Sequence, residues 1–274
     1  MNVEDRLVRV EELVPGRRPA LISVSFTGTE AGQDLDRLLA TDARGRAVYR
    51  LDLLGDMTVL PGSTTLPDLA AAYAQELARL DPRPGALVGH CSAAALTLAI
   101  AARMGPRPPR VFLLDPARPT HDSVARTFAE LRLGLGRERD GDVDVAEALL
   151  RLAAAPADAL DWMTAVLAGD AVAFCAEQEL DEDAATVTGE LIPRYRAWLA
   201  FLLAGVGHTT GRAAGTGPVH CLLSRGRDLP AGPADHDRMT VRRLDVAAAD
   251  LTSTPAVREL LLDHLDQLEE AEDE

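Results

Sequence analysis

The residues with the clearest chemical potential stand side by side: Gly89-His90-Cys91-Ser92-Ala93. An apolar run ending in Leu87-Val88 leads into them, and the alanine-rich Ala93-Ala94-Ala95 follows at once. In a G-x-S-x-G turn the nucleophile sits on a strained passage from strand to helix, and small flanking residues let the two elements approach closely. Here Gly89 and Ala93 hold the small positions and Cys91 the centre. The backbone N–H of Ser92, opening the helix, would serve as an oxyanion donor. The same helix start favours an anion, so a lowered thiol pKa is expected for Cys91. Two plainer readings stand beside this one. Ser92 as nucleophile would shift the pattern one residue off its small flanks. Cys91 as a small buried residue closing a strand would ask for no chemistry.

The elements that must position these residues are legible as short apolar runs bounded by turn residues, with helical stretches between them, the pattern of a mainly parallel sheet. Strands are predicted over 20–26, 47–53, 86–89, 111–114, 219–223 and 240–246, and helices over 66–80, 92–104 and 256–268. The last of these repeats Val257, Leu260, Leu261, His264, Leu265 and Leu268 at helical spacing. Pro67 suits the first turn of its helix. Between Asp115 and Pro218 no strand is evident, and helices are predicted over 145–154, 157–167, 171–180 and 192–204. The whole chain, 1–274, therefore reads as one domain, with 116–217 an inserted helical lid over the carboxyl edge of the sheet. A large crossover helix pair is the plainer alternative.

Composition excludes several classes. Apolar residues make up 47% of the 274-residue chain, enough for a sizeable core. A formal net charge of −15 argues against nucleic-acid and anionic-membrane partners, both of which need a basic face. No stretch reads as the roughly 18 apolar residues that span a bilayer, and the start, Met1-Asn2-Val3-Glu4-Asp5, has no secretory pattern. Cys91, Cys175 and Cys221 have no metal-like spacing and cannot all pair, so a reduced, cytoplasmic setting is expected.

The segment Val88-Gly89-His90-Cys91-Ser92-Ala93-Ala94 resembles the G-[HYW]-S-x-G-[GA] motif of the thioesterases of polyketide and nonribosomal peptide assembly lines. The likeness extends over about residues 19–268 and implies an α/β-hydrolase fold. Arg110-Val111-Phe112-Leu113-Leu114-Asp115-Pro116 is similar to the strand-then-Asp segment in which the excised-domain branch keeps its catalytic acid. The resemblance thus gives Asp115 that role. Arg225-Gly226-Arg227-Asp228 resembles the acidic loop used by other branches, which makes Asp228 the alternative acid. Ile192-Pro193-Arg194-Tyr195-Arg196 resembles the helix that re-enters from the lid.

Two departures matter. The family's first loop, H-x-x-G-G, is replaced by Phe26-Thr27-Gly28-Thr29-Glu30-Ala31-Gly32, where backbone donors near Thr27 could complete an oxyanion hole. The family histidine that follows the last strand is absent, and Asp250 stands at that position. A carboxylate there would repel a thiolate and cannot replace imidazole as a base for water. A cysteine dispenses with a base more readily than serine, being partly ionised at neutral pH. Thiol–thioester exchange breaks and makes like bonds, so transfer between thiols should suffer less than hydrolysis. His236, flanked by Asp235 and Asp237 in a loop after the strand at 219–223, is the replacement base to consider; His90 should point away from its neighbour. His121, His208, His220 and His264 read as structural or solvated.

The resemblance implies a cysteine-dependent thioesterase or acyl shuttle acting on acyl or aminoacyl thioesters of an acyl or peptidyl carrier protein. The alternative is a catalytically inactive relative that binds a carrier or partner enzyme. No metal or diffusible cofactor is implied, since the phosphopantetheine arm would arrive on the carrier.

Overall fold

The computed structural model describes residues 8–26, 30–137, 141–208, 217–230 and 239–273. The chain divides into two compact units: a sheet unit, Met1–Leu53, Leu66–Arg118 and His208–Glu274, and a helical unit, Leu54–Thr65 and Pro119–Gly207.

The sheet unit holds seven strands: β1 (Val10–Val14), β2 (Arg18–Val24), β3 (Arg46–Leu51), β4 (Pro84–His90), β5 (Arg110–Leu114), β6 (Val219–Leu223) and β7 (Met239–Arg243). Their order is β1-β3-β2-β4-β5-β6-β7, with β1 antiparallel to β3 and every other pair parallel. The central strands are apolar on both faces: Ala86, Leu87 and Val88 of β4 and Val111 to Leu114 of β5 are all buried, as strands covered on both sides require. Proline is tolerated at the start of β4, where no ladder hydrogen bond is lost. The helices of this unit are α1 (Glu30–Thr41), α3 (Leu66–Leu77), α4 (Ala94–Ala101) and α9 (Pro255–Asp273). Val257, Leu261, Leu262 and Leu265 of α9 join Leu35, Leu39, Val88, Phe112 and Leu222 in one core cluster.

Helix α9 is also held by charge. Asp266 accepts hydrogen bonds from Arg18 (2.5 Å), Arg44 (2.8 Å) and Arg46 (2.8 Å). The Arg46 side chain has no exposed surface. This company of guanidiniums holds the Asp266 carboxyl at about 2 against the cost of its burial. On the other side of the helix, His264 and His220 bring their Nε2 atoms to 3.0 Å, and the His220 ring stacks on Phe112 at 5.2 Å.

The helical unit contains most of α2 (Leu53–Val59) together with α5 (His121–Gly134), α6 (Gly141–Ala154), α7 (Pro156–Glu177) and α8 (Glu182–Gly205). Thr120 and Ser123 form a reciprocal capping box at the start of α5. The segment after α2 packs on the later helices: a Cβ on Gly62 would lie 2.9 Å from Arg196 and 3.2 Å from Leu160.

Several sequence expectations need correction. The strand β1 and the helices α1, α2 and α5 were not anticipated, and β7 is shorter than 240–246. The two helices predicted over 157–167 and 171–180 are one continuous helix, Pro156–Glu177. Asp170 is not a loop residue but the mid-helix partner of Arg132 (2.7 Å) and Arg137 (3.3 Å). The helix predicted over 192–204 begins ten residues earlier, at Glu182. Asp181 caps it by accepting from the Ala184 N–H, and Thr186 and Thr188 return their hydroxyls to carbonyls four residues back. Helix α7 is, by length and composition, apolar enough to cross a membrane, contrary to the reading of the bare sequence. Its buried residues Leu160, Met163 and Leu167 and its Asp170 ion pairs suit a core helix of the unit it belongs to.

Candidate active site

Strand β4 delivers the elbow. His90 ends it, Cys91–Ala93 form a single tight helical turn, and α4 follows without a break. Cys91 has φ +52°, a left-handed conformation that few non-glycine residues adopt; it marks a strained point that the surrounding structure holds in place. Close approach of strand and helix makes this possible. A Cβ on Gly89 would lie 2.2 Å from Thr97 Oγ1 and 2.9 Å from its Cβ, so glycine is the residue that fits. The Thr97 hydroxyl donates to the Ala93 carbonyl at 2.8 Å, and the Ala117 N–H donates to the Cys91 carbonyl at 3.0 Å.

Strand β5 delivers Asp115, also left-handed at φ +41° and buried. Its backbone N–H donates to the Leu222 carbonyl at 3.0 Å. Its carboxylate is occupied by the residue that follows β6. The Ser224 N–H donates to Oδ1 at 2.8 Å and the Ser224 hydroxyl to Oδ2 at 2.5 Å. The Arg227 guanidinium stands 3.9 Å from Oδ2. Neither Ser224 nor Arg227 was singled out from sequence. The only available signal was their place just after a strand paired in parallel with β5.

The electrostatics join four groups. Burial pushes the Cys91 thiol up, and Asp115 adds to the rise; the backbone N–H and hydroxyl of Ser92 and the charge of Arg227 oppose it. Burial thus raises a thiol that the helix start alone was expected to lower. Ser92, proposed from sequence as an oxyanion donor, hydrogen-bonds the Cys91 thiol through its N–H and its hydroxyl. His90 is pushed down by burial and by Arg227, against the pull of Asp115. A neutral imidazole is thus coupled to the same carboxylate and guanidinium that act on Cys91.

Asp228 is exposed and accepts from Arg243 at 2.8 Å in a surface ion pair. Asp250 is exposed, closing the short turn Ala248–Asp250 after β7, and its carbonyl accepts from the hydroxyls of Ser253 and Thr254. Thr27 and His236 lie outside the described residues. Among the described residues no group of three or more His, Cys, Asp or Glu side chains is placed to hold a metal ion.

The fold is shared with solved structures over nearly the whole chain. An enol-lactonase from Burkholderia xenovorans LB400 matches with a TM-score of 0.55 and 17% identity, covering 94% of this chain and 97% of that one. The chain has an α/β-hydrolase fold. The NocB thioesterase domain from the nocardicin cluster matches at a TM-score of 0.50 and 18% identity, over 94% of this chain and 98% of that one. A four-domain nonribosomal peptide synthetase bound to AMP and glycine matches at 0.54 and 17% identity; the match covers 94% of this chain but spans only 20% of that one. No protein-family model and no curated protein sequence matches the chain.

Proposed function

We propose that this α/β-hydrolase-fold protein handles acyl or aminoacyl thioesters through a covalent intermediate on Cys91, with the acyl group presented on the phosphopantetheine arm of an acyl or peptidyl carrier protein. The observation that carries the reading is the left-handed Cys91 between β4 and α4, with the Ser92 N–H directed at its sulfur. In the reaction the Cys91 thiol gives up its proton and its sulfur attacks the thioester carbonyl. The tetrahedral oxyanion collapses, the donor C–S bond breaks, and the donor sulfur takes a proton as it leaves. The acyl group then passes to a second thiol by the reverse of the same steps, or to water. Water is the poorer acceptor, because Asp250 occupies the place where relatives carry histidine and the Asp115 carboxylate already accepts from Ser224.

His90 or His236 is proposed to take the proton, and a backbone donor near Thr27 to complete the oxyanion hole. Intact-protein mass spectrometry after mixing with an acyl-N-acetylcysteamine tests the central claim. An adduct is expected on the parent protein and on Ser92→Ala, and none on Cys91→Ala. The adduct should clear slowly in buffer and faster with added pantetheine, and Asp250→His should hasten hydrolysis.

A second reading, a binding protein without chemistry, is favoured by one observation: the Cys91 thiol is pushed up, and so is mostly protonated at neutral pH. Failure of every acyl donor to form an adduct would establish it.

A further inference from the structure

The parallel strands that carry Cys91 at one edge gather a different set of residues at the other. Residues at or just before the starts of β2, β4, β5 and β6 line an open cleft of about 470 Å³ within the sheet unit. That volume is in the range of small-molecule sites. The cleft belongs to the amino edge, and β4, with seven residues, separates it from Cys91 by about 20 Å of extended chain.

Its chemistry is one-sided. Arg83, Arg107 and Arg110 all line it, and no carboxylate does so among the described residues. Across the rest of the molecule arginine is generally matched to acid: Arg44 meets three carboxylates, Arg132 two, and Arg50 two. The guanidiniums of Arg83 and Arg107 make no ion pair among the described residues. In a chain of net charge −15, two such arginines beside a third in one concavity stand against the prevailing charge. The walls are stiff as well. Pro19, Pro84, Pro108, Pro109 and Pro218 supply the rest of the rim, and each fixes its own φ and offers an apolar ring face. Gly85 forms part of the lining where a Cβ would lie 2.7 Å from that of Pro19, so strand and rim are already in contact.

We propose that this cleft is a binding site for a small molecule carrying a diphosphate group, held by Arg83, Arg107 and Arg110 and distinct from the Cys91 site. Guanidinium matches phosphate oxygens in pairs. Three of them suit an anion with several oxygens better than a single carboxylate. The concavity favours a small ligand over the flat face of an acidic protein. The inference does not depend on the acyl chemistry proposed for Cys91.

Calorimetric titration of the full chain with inorganic pyrophosphate and with ADP tests it. Saturable one-to-one binding is expected for at least one probe, weakening between 50 and 200 mM salt on the order of 10-fold. Tighter ADP would identify a nucleotide as the source, and equal affinities a free diphosphate. Arg83→Glu with Arg107→Glu should weaken binding on the order of 10-fold or more. Arg83→Lys with Arg107→Lys should fall between, and Cys91→Ala should bind as the parent does. Both arginines are exposed, so unchanged melting of these variants separates a lost site from a lost fold. No saturable binding of either probe, binding indifferent to charge reversal, or binding of polyglutamate in place of both probes would each overturn the proposal.

Discussion

The two ends of β4 solve opposite problems. At the carboxyl end several polar groups are engaged by neighbours: Asp115 by Ser224 and Arg227, the Cys91 carbonyl by Ala117, the Cys91 sulfur by Ser92. The backbone there is strained and mostly shielded. At the amino end prolines line the cleft, and Arg83 and Arg107 are exposed. A buried, mutually satisfied cluster holds one atom in a fixed place. An open, like-charged one waits for something to neutralise it. The comparison teaches that one parallel sheet can separate reactivity from recognition by the length of a strand.

The largest expected contrast is in covalent chemistry. Cys91→Ala should remove all acyl adduct seen by mass spectrometry, while Arg83→Glu with Arg107→Glu should leave the adduct yield unchanged. An adduct lost in both variants would break the separation. Next comes packing. Gly89→Ala should destabilise by about 3 kcal/mol, because its methyl would meet buried Thr97 and Leu113. Gly85→Ala at the open end should cost less, about 2 kcal/mol, because its one close contact, Pro19 Cβ at 2.7 Å, is looser than the 2.2 Å approach at Gly89. Denaturant titration ranks the two, and the reverse order would refute the view of the carboxyl end as the tighter one.

Asp115→Asn sharpens the comparison further, because asparagine tolerates the left-handed backbone, removes the charge and turns one acceptor oxygen into a donor. It should cost about 1 to 2 kcal/mol through the altered bonds to Ser224. It should also bring the Cys91 thiol down, because Asp115 is among the groups raising it; Arg227→Ala should move the thiol the other way. Iodoacetamide labelling against pH reads both shifts, and a profile unmoved by either variant would uncouple these residues from Cys91.

The smallest effect is a pH slope from the imidazole pair behind β5. His220 is pushed down to about 4 from 6.5, first by burial and then by His264 and Arg110; His264 is lowered as well. The unfolded chain therefore binds more protons between pH 6.5 and 4. The pair's contribution to stability is present above pH 6.5 and is lost as pH falls through that window. His220→Gln with His264→Gln should flatten the melting temperature over this range relative to the parent, and an unchanged slope would remove the pair from the account.

Much of this is legible in the sequence alone. The strands 86–89, 111–114 and 219–223 were visible because strands buried on both faces need unbroken apolar runs, and the elbow because only small residues fit beside it. What escaped detection depended on partners distant in sequence. β1, with its mixed Val-Glu-Glu-Leu-Val, is a strand only because β3 pairs with it. Asp228 and Asp115 look alike in sequence, and only tertiary placement gives one a buried serine and the other a surface arginine. The sign of the Cys91 shift likewise needed the depth of burial, which a local motif does not encode.

The bonds from Asp266 carry a consequence for the order of assembly. Arg18 and Asp266 are 248 positions apart, and Arg46 reaches the same carboxylate across 220. During synthesis, Arg18, Arg44 and Arg46 are made at least 220 residues before the carboxylate that draws them together. Contacts of such long range are closed late and slowly. Closure of α9 over β2 and β3 is therefore the step that completes the sheet unit, and a chain halted short of Asp266 would emerge with a cluster of like charges at that face and no lock to hold it.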